Sequence, residues 1–279
     1  MVIKKRRLIK KVNKQGTCQN TFLKRTTSIE RSLNMIAGAF YIPKDNKLKP
    51  LGEDAHFICA EEQTIGVADG VGGWARKGVD AGKYARELMA NAVCAVEDQP
   101  EGSVDLKMVL NEAFLNTEAR GSSTACILTI KGHCLHAVNV GDSGFVVIRE
   151  GKIIYQSPVQ QHRFNSPYQL GNTADSPSLA EEFEVVVEAG DIVVAGTDGL
   201  FDNLHPAEIE DIVSLCLRQR NMPELLAWTM AKVAREKSLN EWTDSPFAMA
   251  AYDAGVEHLG GKYDDITVIV AYILSPDLF

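Results

Sequence analysis

Acidic residues stand beside glycines at the ends of several apolar runs, and carboxylates so placed can hold a hard cation. Glu53-Asp54 precede Phe57-Ile58-Cys59, Asp69-Gly70 close Thr64 to Ala68, and Asp142 stands in Gly141-Asp142-Ser143-Gly144. Asp198-Gly199 follow Val193 to Thr197, and Asp264-Asp265 open Ile266 to Ile273. Mg2+ and Mn2+ take oxygen ligands, a few from protein and the rest from water, and a carboxylate on a glycine-bearing turn lets a backbone carbonyl join them. Each Asp-Gly taken singly reads first as a hairpin turn. The stretch Gly70-Val71-Gly72-Gly73-Trp74 spends more glycine than a plain hairpin requires.

For these carboxylates to meet, strand ends must converge. Short β-branched or apolar runs predict strands at Phe57-Ile58-Cys59, Thr64 to Ala68, Ser123 to Ile130, Cys134 to Val140, Phe145 to Ile148, Phe183 to Val187, Asp191 to Ala195 and Ile266 to Ile273. Turn chemistry at Lys131-Gly132, Gly141-Asp142, Glu150-Gly151, Ala189-Gly190-Asp191 and Asp198-Gly199 predicts antiparallel hairpins rather than crossovers. Helical spacing fills Ala81 to Val96 and Leu106 to Thr117. Pro206 to Leu217 and Pro223 to Arg235 follow, each opening on a proline suited to a first turn. Segregated runs of strand and helix predict an α+β layered domain with two antiparallel β-sheets flanked by helices, not a doubly wound parallel sheet.

The chain of 279 residues is 45% hydrophobic and 24% charged, enough to bury a large core. Its net charge of -8 is uneven: Met1 to Pro50 holds thirteen Lys or Arg against Glu30 and Asp45, a balance of +11, which leaves the remainder at -19. The acidic body is unsuited to nucleic acid, which is bound by clustered cations. The longest apolar run, Ile266 to Leu274, is too short for a membrane span and is interrupted by Thr267 and Tyr272. Residues 1–34 form a basic, acid-poor leader, expected to be disordered, and 35–279 a single domain. The leader lacks a secretory signal's apolar core, so an intracellular protein is expected; chloroplast or mitochondrion suits it, with nucleus or cytoplasm also open. Cys18, Cys59, Cys94, Cys126, Cys134 and Cys216 are scattered without zinc-ligand spacing and read as buried free thiols in a reducing compartment.

Taken in order, Glu53-Asp54-Ala55-His56, Asp69-Gly70-Val71-Gly72-Gly73, Gly121-Ser122-Ser123-Thr124-Ala125, Gly141-Asp142-Ser143, Gly196-Thr197-Asp198-Gly199-Leu200-Phe201-Asp202 and Asp264-Asp265-Ile266-Thr267-Val268 resemble the motif series of the type 2C (PPM) metal-dependent serine/threonine protein phosphatases. The match spans about Ala37 to Tyr272. Val71-Gly72-Gly73-Trp74 and Ser157-Pro158-Val159-Gln160-Gln161-His162 look most like the compact branch found in plant plastids and mitochondria. The resemblance implies a four-layer αββα sandwich and a monomer that hydrolyses phosphoserine and phosphothreonine in proteins by attack of a hydroxide held at a two-metal site. It implies Mn2+ or Mg2+, two per chain with a weaker third.

By the same resemblance Asp69 would bridge the metals, Asp198 and Asp264 would hold the first, and Glu53 with the Gly70 carbonyl the second. Asp54 would orient water, Asp142 and Asp202 would serve the third metal, and Asp265 would stand behind the ligands where the family usually has Asn. Val71 occupies the place where many members carry a histidine proposed as general acid. Lys49 falls at the spacing of a phosphate-binding arginine, and a lysine there would grip phosphate as a point charge without the bidentate fork.

The chemistry fits independently, because a phosphate monoester dianion repels nucleophiles and a two-metal site supplies both concentrated positive charge and an activated water. Cysteine catalysis is a poor rival, since no Cys-x5-Arg loop is present. A catalytically silent binding protein with the same fold is the reading from another class; a metal hydrolase for a small phosphoester is a third. His56 reads as a packed or surface histidine, Trp74 as a core cap, and His162 as a loop residue able to reach substrate from a flap.

Overall fold

A computed structural model describes residues 32–46, 49–100, 102–171 and 174–276. The chain opens with β1 (Asn34–Ile42), β2 (Asp54–Cys59) and β3 (Thr64–Asp69), a 3-10 turn at Gly72–Lys77, and the helices α1 (Ala81–Glu97) and α2 (Leu106–Leu115). Strands β4 (Ser122–Ser123), β5 (Ala125–Lys131), β6 (Cys134–Val140), β7 (Gly144–Arg149) and β8 (Lys152–Gln156) follow. The short strands β9 (Gln161–Arg163) and β10 (Ser166–Pro167) pair as a small flap, and β11 (Leu170–Gly171) pairs with β4, before β12 (Glu181–Val186) and β13 (Ile192–Gly196). Helices α3 (Asp198–Phe201), α4 (Pro206–Arg218), α5 (Pro223–Ser238) and α6 (Pro246–Asp253) lead to β14 (Ile266–Leu274).

Two five-stranded antiparallel sheets form, one ordered β1-β14-β13-β7-β8 and the other β12-β6-β5-β3-β2. Both faces of the central strands are covered, which is why they read as continuous apolar runs rather than as alternating ones. In β14, Ile269, Ala271 and Ile273 point between the sheets, while Ile266, Val268 and Val270 pack under α4 and α5. In β5, Cys126, Leu128 and Ile130 point between the sheets, and Ala125 and Ile127 meet α1 and α2. The result is the four-layer αββα sandwich.

The hairpin expectation holds for β5-β6 and β7-β8 and fails at three places. Gly141-Asp142 and Ala189-Gly190-Asp191 are corners, carrying the chain from the β6 and β12 sheet into the β7 and β13 sheet. Asp198-Gly199 is no turn between strands; it opens α3. The first strand, β1, was absent from the expected set. Its Gly38 lies beneath α5, where a Cβ would meet the Glu224 backbone nitrogen at 2.4 Å, while Ala37 and Ala39 pack toward the space between the sheets. Packing begins before residue 35, since Leu33 is already buried; the rest of the anticipated leader, 1–31, lies outside the described residues. Among the described residues no helix is long and apolar enough to cross a membrane.

Candidate metal centre

The register brings the acids together. Asp54, which opens β2, pairs across from Asp69, which closes β3. In the other sheet Gly196 pairs with Gly144 on one side and Val268 on the other. Asp142 just before β7, Asp198 just after β13 and Asp264 just before β14 therefore leave the sandwich at that same end. Carboxylate oxygens of Asp69, Asp142 and Asp198 lie within 4.8 Å of one another.

Hydroxyls hold this end in place. Thr124 accepts a hydrogen bond from Asp69 N–H at 3.0 Å, donates its own N–H to the Asp69 carbonyl at 2.9 Å, and links to Ser143 Oγ at 2.7 Å across the corner. Thr197 and Thr267 each donate to Asp54 Oδ2 at 2.8 Å, which ties β2 to β14. Asp265 accepts from Tyr41 OH at 2.9 Å, from Lys44 N–H at 2.8 Å and from Glu53 N–H at 3.2 Å. It thus stands behind the Glu53 backbone. Gly70 N–H donates to the Glu53 carbonyl at 3.1 Å, which sets Glu53 beside the Asp69-Gly70 turn. Lys49 Nζ lies 2.6 Å from Glu53 Oε1, so the candidate phosphate-binding lysine is engaged by a candidate metal ligand.

Burial and crowding make Asp54, Asp69, Asp142, Asp202 and Asp264 resist ionisation. Burial first, then the neighbouring charges of Asp198, Asp54, Asp264 and Asp142, pushes Asp69 well above the usual carboxylate range. Asp54 is raised by burial and by Asp265, and Asp142 by burial and by Asp198. Asp202 and Asp264 are each pushed up to about 6, burial being the larger cause and Lys262 opposing it in both. Asp54 Oδ1, Asp142 Oδ1 and Asp198 Oδ1 are buried with no hydrogen-bond partner among the described residues. Unpartnered acceptors at the same end of the sandwich, all oxygen and all acidic, fit a hard divalent cation.

Sequence reasoning placed Glu53, Asp54, Asp69, Gly70, Asp142, Asp198, Asp202 and Asp264 at this end and missed a cation among them. Lys262 Nζ bonds Asp198 Oδ2, lies 2.7 Å from Asp202 Oδ2 and is 3.8 Å from Asp264 Oδ2. Its position two residues before Asp264 was the available signal. Thr124, Thr197 and Thr267 lay inside the quoted motifs without an assigned role. Val71 lines a cleft of about 520 Å3 together with Trp74, Lys77, His162 and Asp175. There Trp74 Nε1 donates to Ser122 Oγ at 2.6 Å, so its indole is not a plain core cap, and His162 pairs with Asp175 at 3.0 Å on the flap. The cysteines in the described residues are free, but only Cys126 and Cys216 are buried, and Cys94 is exposed.

An αββα sandwich with an acid cluster at one end is an arrangement that can hold divalent cations. No protein-family model matches the sequence. Individual proteins do: the chain is 51% identical over 247 residues to probable protein phosphatase 2C 55 of Arabidopsis thaliana, covering 88% of this chain and 53% of that one. It is 39% identical over 248 residues to protein phosphatase PTC7 homolog fig of Drosophila mojavensis, covering 81% of this chain and 79% of that one. The X-ray structure of the photosystem II phosphatase PBCP superposes with a TM-score of 0.79 at 34% identity, over 86% of this chain and 98% of that one. The catalytic domain of the serine/threonine phosphatase PstP, in complex with 2 manganese ions, shares the fold with a TM-score of 0.61 at 17% identity, over 88% and 100%. The chain belongs to the protein phosphatase 2C family. It spans little more than half the length of the Arabidopsis relative.

Proposed function

We propose that this chain is a protein phosphatase that hydrolyses phosphoserine and phosphothreonine in proteins with two Mn2+ or Mg2+ ions. The observation that carries the reading is the set of unpartnered buried oxygens of Asp54, Asp142 and Asp198 beside Asp69. Asp69, central to the cluster, would be shared by both ions, Asp198 and Asp264 would complete one side, and Glu53 with the Gly70 carbonyl the other. When bound, the ions supply an activated water near neutral pH and offset the charge that develops on the phosphoryl oxygens.

This chain's own residues do the positioning. The two threonine hydroxyls fix Asp54 by Oδ2 and leave Oδ1 to accept from the attacking water. Lys49 can offer its charge to the substrate phosphate while it shares Glu53, since an ammonium has three donors. Val71 cannot give a proton to the departing serine or threonine oxygen; water or another side chain must do so. The PstP domain, alike in fold, holds 2 manganese ions, which supports the count of two.

Hydrolysis of a phosphothreonine peptide with Mn2+, with chelator, and with Mn2+ restored tests the proposal. Turnover that appears with Mn2+ and vanishes with chelator is expected. A folded chain that binds Mn2+ yet releases no phosphate would instead establish the silent binding protein.

A further inference from the structure

An ammonium group stands inside the acid cluster, and the chain is built to keep it there. Gly261 passes so close to the end of α5 that a Cβ would meet the Lys237 carbonyl at 2.1 Å, so the loop can turn Lys262 inward only with glycine at that position. Asn203 is fully buried and holds the Lys262 backbone by both groups: its Nδ2 donates to the Lys262 carbonyl, and Lys262 N–H donates to its Oδ1, each at 2.9 Å. Asn203 directly follows Asp202, so one turn both presents the Asp202 carboxylate and anchors the lysine that binds it. On the far side the Phe247 ring lies 5.1 Å from Nζ, and Phe247 N–H donates to the Asp202 carbonyl at 3.1 Å. The Lys262 side chain is only 15% exposed. A surface lysine pairing by chance has none of this scaffolding.

The ammonium divides the carboxylates into two sets. Asp198 accepts from Lys262 at Oδ2 and keeps Oδ1 buried and unpartnered, and the same carboxylate belongs to the group with Asp69 and Asp142. Asp202 accepts from Lys262 at Oδ2 at 2.7 Å, a direct bond that Asp264, 3.8 Å from Nζ, does not make, and both lie outside the group whose oxygens converge within 4.8 Å. A divalent ion between Asp198 and Asp202 would have to displace Nζ or sit against it, and like charges a few ångströms apart repel strongly in a partly buried site.

We infer that Lys262 is a tethered cation that takes the place of a third metal ion on the Asp198–Asp202 side of the centre, so that the chain loads two ions and Asp202 serves the lysine. This rests on the two-ion reading above. Lys262 is then a positioning residue: it orients Asp198 so that the free oxygen faces the ions, and it neutralises charge there at any free Mn2+ concentration. Asp142, grouped with Asp69 and Asp198, belongs with the ions; Asp202, expected as a third-metal ligand, does not.

Calorimetric titration of Mn2+ into the metal-free full chain decides it, with circular dichroism to confirm folding. Wild type should take up two ions and no third in the millimolar range. Lys262→Met, which keeps the length and removes the charge, should gain a third, weaker ion with an affinity about tenfold or more above any in wild type. Lys262→Arg should hold the count at two. Turnover of a small phosphoester should drop in Lys262→Met and recover in part at high Mn2+, but not in wild type. A third ion bound equally by wild type and Lys262→Met would overturn the inference and leave the two-ion phosphatase intact. No Mn2+ bound by wild type would overturn both. Should Lys262→Met fail to fold, the wild-type count alone still decides: two ions support the inference and three sink it.

Discussion

The space between the sheets and the acidic end of the sandwich are made from the same strands. In β14, Ile269, Ala271 and Ile273 fill the intersheet core, whereas Asp264 and Asp265 immediately precede the strand. In β3, Ile65 and Val67 are buried between the sheets and Asp69 closes the strand. The middle contributes stability through burial of apolar surface. The end gives some of that stability back, because its carboxylates repel one another and shed water. Stability and chemistry are thus separated by only a few residues along one strand, and substitutions at the two regions should have opposite signatures.

The largest effect should come from Asp69→Asn. Turnover of a phosphothreonine peptide at saturating Mn2+ should fall by about 10²-fold or more, since a shared ligand is lost and the reacting groups shift. The metal-free thermal midpoint should rise, because one charge leaves a repelling cluster. A lower midpoint would mean that the acidic end is not a cost to the fold. Ile269→Ala, fully buried between the sheets, should do the reverse. Denaturant unfolding should show a loss of about 2–5 kcal/mol, while calorimetry finds the Mn2+ count unchanged.

The pH response sharpens the contrast. Asp202 and Asp264 carry pKa values of about 6 in the metal-free fold, above those of an unfolded chain. The folded state therefore holds protons that the unfolded state has already released. Their contribution to stability is present at low pH and is lost as pH rises through about 6. Metal binding at Asp264 opposes its proton. The gap between Mn2+-loaded and metal-free midpoints should accordingly widen from pH 5 to pH 7, and a constant gap would count against metal binding by Asp264.

Lys49→Ala should have the smallest effect. Its partner Glu53 keeps its backbone contacts to Gly70 and Asp265. KM should rise by about fivefold with kcat nearly unchanged. No change in either constant would leave Lys49 as a partner of Glu53 alone.

Much of this was legible from local pattern. The helices that open on Pro206 and Pro223, the strand Cys134–Val140 and the acids at strand ends all follow from periodicity and turn chemistry over a few residues. The small-residue strand β1 was not legible, because Gly38 suits a strand there only once α5 lies across it. Nor did turn chemistry separate hairpins from corners: Glu150-Gly151 reverses the chain within one sheet, while Gly141-Asp142 moves it into the other.

Residue order thus settled which carboxylates lie near strand ends, since burial on both faces of a strand is written in its side chains. Tertiary structure decided which of them meet and what meets them. Asp54 faces Asp69 through sheet register, and Asp142 joins them because its turn is a corner. Lys262 arrives through a loop that Gly261 lets pass and Asn203 clamps. Local propensity acts over a few residues, whereas partners such as Asp198 and Lys262, with a sequence separation of 64, are brought together only by how the sheets and helices pack.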